Sequence, residues 1–151
     1  MIICQKLRLY KLQDTNYQIS QEELIISLIE LLPKITSEHN PNSEIYKYIS
    51  CVSKNAVEYL FGPGNLEKIN MGPLGVIDIP FFSMGAINTT HLFGLDELIL
   101  FSFYLKNKLN YKKVGDLGAN VGVHSIILSN LGFDVTSYEP DSIHFQKIKE
   151  N

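Results

Sequence analysis

Cysteine, clustered histidine, basic charge and long apolar runs are all scarce in this chain, and each scarcity removes a class of function. Its two cysteines, Cys4 and Cys51, lie 47 positions apart. A disulfide framework or a zinc site needs more, so the pair points to a reducing compartment. The histidines, His39, His91, His124 and His144, are scattered without ligand spacing, and no metal site is expected. The net charge is −3 and the pI near 5.8, with no cluster of Lys and Arg, which leaves nothing to hold a nucleic acid. The longest apolar stretch, Leu98 to Leu105, is interrupted by Ser102 and falls far short of a membrane span. The apolar run within Met1–Lys6 is too short for a signal peptide. No membrane partner is expected, and a cytoplasmic location is the default.

What remains is a chain of 151 residues, 45% hydrophobic and 19% charged, which suits a globular protein of one domain or of two small units. Residues 1–19 alternate loosely and read as a strand or arm. Ser20 and Glu23 form a capping box before Leu24, Ile25, Leu28, Ile29, Leu31 and Leu32, a helix that Pro33 closes. Its apolar face is wide enough to be packed on both sides. Ser43 caps a second helix running to about Phe61, ended by Gly62-Pro63-Gly64. Between Met71 and Leu92 the glycines, prolines and β-branched residues predict one or two short strands. Asp96 and Glu97 then open a helix through about Lys106, a start that the helix dipole explains without further function.

The last third is the most organised. The pattern predicts a strand over Lys112–Asp116, a helix over Val121–Leu131, a strand over Asp134–Glu139, and a helix from Ser142 that still runs at Asn151. The glycine-rich turn Gly118-Ala119-Asn120-Val121-Gly122 lies where a parallel sheet places its ligand, at the carboxyl ends of the strands. Glycine there permits a sharp turn and a close backbone approach. The following helix presents its N–H groups, which favour a carboxylate or phosphate. Asp116, at the first strand tip, can receive an ammonium group or hold an ordered water. Glu139, 23 positions on and at the second tip, is placed to accept ribose hydroxyls. Ammonium, carboxylate and ribose together describe S-adenosylmethionine better than a dinucleotide, whose pyrophosphate the Asp116 carboxylate would repel. His124 could reach a ligand but reads more simply as packed or exposed. His91 reads as a turn residue, and Tyr104 and Tyr111 as packing.

Asp116-Leu117-Gly118-Ala119-Asn120-Val121-Gly122, with Ser125 and Tyr138-Glu139-Pro140-Asp141, resembles the FkbM family of methyltransferases across residues 112–151. That resemblance implies a class I, S-adenosylmethionine-dependent enzyme, most often an O-methyltransferase. Asp116, Gly118, Ala119, Asn120 and Gly122 would form its first cofactor motif, and Glu139 its ribose-binding acid. It implies an α/β fold in which residues 111–151 make the opening β-α-β-α of a Rossmann-like sheet. Residues 1–110 form a mostly helical region before it, with short strands near 74–90. The implied acceptor is a small molecule or sugar, and no residue is assigned to catalysis. Such a sheet needs more strands than this stretch supplies, so the chain is expected to be a truncated, inactive part of the enzyme that is poorly folded in its last third, self-associates through exposed sheet edges, or needs a partner. The alternatives are a non-catalytic remnant or partner-binding module, and a nicotinamide-dependent oxidoreductase fragment.

Overall fold

The computed structural model describes residues 19–65 and 68–151, so the strand or arm expected over 1–19 falls almost wholly outside the described residues. Helix α1 (Gln21–Leu31) begins at the capping box: Ser20 Oγ accepts from the Glu23 N–H at 3.1 Å, and Glu23 Oε2 accepts from the Ser20 N–H at 2.8 Å. Pro33 does not stop the chain abruptly. It enters a 3-10 turn over Leu32–Lys34, because its missing N–H costs nothing in a first turn. Helix α2 (Glu44–Phe61) is capped by Ser43, whose hydroxyl accepts from the Ile45 N–H at 3.2 Å. It ends at Gly62, where a Cβ would fall 2.2 Å from the carbonyl oxygen of Glu58. Only glycine lets the chain leave the helix there.

The stretch after α2 holds more strand than expected, in shorter pieces. β1 (Ile69–Asn70) pairs antiparallel with β2 (Val76–Ile77), and β3 (Ser83–Met84) with β4 (Ile87–Asn88). A 3-10 turn over Thr89–Phe93 leads into α3 (Leu95–Asn107). The first ladder begins before Met71 because Gly72, Pro73 and Leu74 form a tight turn that folds Ile69–Asn70 back onto it.

β5 (Lys113–Leu117), α4 (Val123–Asn130), β6 (Asp134–Tyr138) and α5 (Ser142–Glu150) complete the chain. β5 and β6 are parallel, with Lys113 opposite Asp134 and Leu117 opposite Tyr138. Gly132 closes α4 at φ 91°. Asp141 caps α5, accepting from the N–H groups of Ile143 and His144 at 2.9 and 3.0 Å; the His144 contact first, and the Ile143 contact with it, lower its pKa. β5 falls one residue later than the sequence predicts, and α4 starts two residues later and ends one earlier, since the left-handed Asn120 and Gly122 delay the helix.

One apolar core runs through both halves. Ile25, Leu28 and Ile29 of α1 meet α2 and α3, which explains the wide apolar face of α1. Phe61 and Phe93 stack with ring centres 3.7 Å apart, and Phe93 meets Phe101 edge-on at 6.1 Å. Val121, Val123, Ile127 and Leu128 extend that core into the β5-α4-β6 unit. The chain is thus mixed α/β.

Cys51, on α2, is disulfide-bonded. A bridge needs one facing pair in space rather than a spaced framework, so the cysteine argument for a reducing compartment falls away. Among the described residues no helix is long and apolar enough to cross a membrane.

Candidate functional site

β5 and β6 alternate exposed and half-buried residues, because only one face of the pair is covered by α4. Val114, Asp116, Val135 and Ser137 take the covered face. Leu117 and Tyr138, opposite one another at the strand tips, stay 78% and 56% exposed. The site forms where both strands end and α4 begins.

The glycine turn bends sharply by three left-handed residues: Gly118 at φ 80°, Asn120 at 52° and Gly122 at 89°. Such angles cost most side chains about 1–2 kcal/mol, with Asn among the tolerant residues. The Gly118 and Ala119 N–H groups both donate to the Tyr138 carbonyl, at 2.8 and 3.1 Å, which ties the turn to the end of β6. A Cβ on Gly118 would meet nothing, so that side of the turn is open to an approaching group. One on Gly122 would touch Ile148 of α5 at 3.4 Å, so the second glycine makes room for packing instead. No side chain caps the N-terminus of α4.

Glu139 holds this arrangement together. Its Oε2 accepts from the Asn120 N–H at 2.7 Å and its Oε1 from the Asp141 N–H at 2.8 Å. The sequence suggests a carboxylate waiting for a ligand. The structure gives it a second duty, as a strap across both turns, and leaves each oxygen with a lone pair to spare. Asp116 Oδ2 accepts from Ser125 Oγ at 2.5 Å, and Ser125 Oγ lies 2.6 Å from Ser137 Oγ. The Ser125 proton goes to the carboxylate, so Ser137 donates to Ser125. Asn120 Oδ1 is buried and makes no hydrogen bond. A buried carbonyl in that condition costs about 1–3 kcal/mol unless a donor arrives.

Asp116, Gly118, Ala119, Asn120, Gly122 and Glu139, spread over 24 positions of sequence from Asp116 to Glu139, are therefore brought to one end of the sheet. Sequence reasoning missed Ser137, and it read Tyr104 and His124 one by one, without their pairing. Ser137 has a detectable signal, since strand alternation puts it on the covered face opposite Asp116. Tyr104 and His124 do not: a bond between Tyr104 Oη and His124 Nδ1 at 3.0 Å joins two elements whose relative placement no local pattern shows. The Tyr104 hydroxyl pKa is raised by burial, then by the nearby Asp116 and Glu97 carboxylates. His91 is a turn residue as expected, its Nδ1 receiving the Asn88 N–H at 3.1 Å. Among the described residues no group of His, Cys, Asp and Glu could hold a metal ion.

The site offers three oxygen acceptors, on Asp116, Asn120 and Glu139, around an open glycine turn. Two carry negative charge, which suits a ligand bearing cationic and hydroxyl donors. No family model, curated protein or solved structure matches the chain.

Proposed function

We propose that residues 111–151 form the opening β-α-β-α of a class I methyltransferase that uses S-adenosylmethionine. The observation that carries the reading is the meeting of Asp116, Asn120 and Glu139 around the turn, with Asn120 Oδ1 buried and unpaired. The cofactor's ammonium, ribose hydroxyls and adenine amine are donors that the spare lone pairs of Asp116 and Glu139 and the unpaired Asn120 Oδ1 can accept. Asp116 would take the ammonium, Glu139 the ribose hydroxyls, and Asn120 a donor from within the same molecule. When bound, the cofactor supplies a methyl group on a cationic sulfur. The acceptor this reading favours is an oxygen on a small molecule or sugar, as in the family the motif resembles. A dinucleotide fits less well, because its pyrophosphate would face the Asp116 carboxylate.

The exposed Leu117 and Tyr138 support a second reading, in which this unit binds a partner rather than a substrate. Titration of the ¹⁵N-labelled chain with S-adenosylhomocysteine separates the two, because amide shifts register binding even at millimolar affinity. Saturable shifts confined to Asp116–Gly122 and Glu139, with none from NAD, are expected. Shifts elsewhere, none at all, or equal shifts from NAD would overturn the cofactor assignment.

A further inference from the structure

Helix α3 sends two polar side chains to the first turn of α4. Tyr104 Oη lies 3.0 Å from His124 Nδ1, and Glu97 Oε2 lies 3.2 Å from His124 Nε2. The imidazole also packs edge-on against Phe101, with ring centres 5.3 Å apart. One neutral tautomer answers both polar contacts, with the Tyr104 hydroxyl donating to Nδ1 and the Nε2 proton facing Glu97. Glu97 Oε2 is buried and has no well-aligned hydrogen bond, so its carboxylate charge meets the imidazole facing it at 3.2 Å as a dipole. Residue 125, next in the chain, is the serine that holds Asp116.

A carboxylate, an imidazole and a hydroxyl in line resemble a nucleophile with its base. The chemistry here runs the other way. Burial and two neighbouring carboxylates keep the Tyr104 phenol protonated, whereas an activated nucleophile needs its proton loosened. The arrangement holds position instead.

We infer that Glu97 and Tyr104 are positioning residues which, through His124, set the orientation of the first turn of α4 and so of Ser125 and the Asp116 carboxylate. The path has two links: side-chain contacts from α3 to His124, then the rigid helical backbone from His124 to Ser125. Tyr104 is thereby coupled to a hydrogen bond that it does not touch. Only the consequence for ligand affinity rests on the cofactor reading above; the coupling is a property of the chain itself.

A double-mutant cycle of Tyr104→Phe and Ser125→Ala tests the coupling, read by amide exchange of β5 and by the carboxyl ¹³C shift of Asp116. Tyr104→Phe should move the Asp116 carboxyl signal and the Gly118–Gly122 amides, and the two substitutions should combine non-additively. Glu97→Gln, which keeps size and removes charge, should move the same signals. Additive effects, with shifts confined to the neighbours of the altered ring, would show plain packing and overturn the inference. With S-adenosylhomocysteine as the probe, Tyr104→Phe should weaken binding about two- to tenfold, the size of one net hydrogen bond. Wild-type chain that shows the coupling but binds no S-adenosylhomocysteine would remove the cofactor reading and leave the positioning role intact.

Discussion

Replacing Glu139 by Ala should loosen the turn before any ligand is considered. The carboxylate holds two backbone N–H groups, from Asn120 at 2.7 Å and Asp141 at 2.8 Å. Their environments differ, and so do the costs. The Asn120 contact is half-buried; stranding that N–H costs about 1–3 kcal/mol, since water reaches it poorly. The Asp141 contact is exposed, and water can replace the carboxylate for about 0.5–1 kcal/mol. A combined loss near 2–3 kcal/mol would speed local exchange of the Asn120 amide about 30- to 150-fold. Glu139→Gln keeps the shape and one carbonyl oxygen, so it should fall between wild type and Ala. Hydrogen exchange followed by NMR at fixed pH measures this directly. An Asn120 amide in Glu139→Ala that exchanges within about threefold of wild type would refute the strap. If the proposed cofactor reading holds, the same variant should also weaken S-adenosylmethionine by about 1–3 kcal/mol, the cost of the ribose contacts proposed for Glu139, and Glu139→Gln helps to separate the two effects.

Other outcomes follow from the same geometry. Gly118→Ala should destabilise the chain by about 1–2 kcal/mol through its left-handed φ of 80°, whereas Gly115→Ala, in open space at an ordinary φ, should be neutral or stabilising by up to about 1 kcal/mol; urea unfolding compares them. The Tyr46 hydroxyl, 2.6 Å from Asp96, has its pKa pushed up to about 12 by burial and then by that carboxylate. Its contribution is complete below pH 10, the ordinary tyrosine value, and is lost as pH rises toward about 12, so Tyr46→Phe should flatten the alkaline fall in stability seen by circular dichroism. Phe101→Ala, emptying a fully buried position beside Phe93 and His124, should cost about 3–5 kcal/mol in the same unfolding assay. Leu117→Glu should reduce concentration-dependent association in sedimentation, because the 78%-exposed leucine stands on the uncovered face of a two-stranded sheet.

Local signals carried most of the architecture. Ser20 with Glu23, Ser43, Gly62 and Gly132 mark helix ends by hydrogen-bonding and steric rules that act over a few residues, and they were readable for that reason. The glycine turn and both strand tips were legible too, since alternation and glycine spacing encode them. Four short strands proved harder, because two-residue ladders leave no periodicity to detect. The contacts of Asp96 and Glu97 were hidden entirely. Their position at a helix start is explained by the dipole, and that sufficiency conceals the partners Tyr46 and His124, 50 and 27 positions away. The state of Cys51 was misread for a similar reason, since sequence separation says little about distance in the fold.

Asp96 and Glu97 are neighbours on α3, yet one reaches back to α2 and the other forward to α4. Consecutive residues of a helix point about 100° apart around its axis. A single axial rotation of α3 therefore has to satisfy both contacts, and turning the helix to improve one would withdraw the other. α3 behaves like a key cut on two sides, whose angular setting keeps the helical layer and the sheet in register with each other.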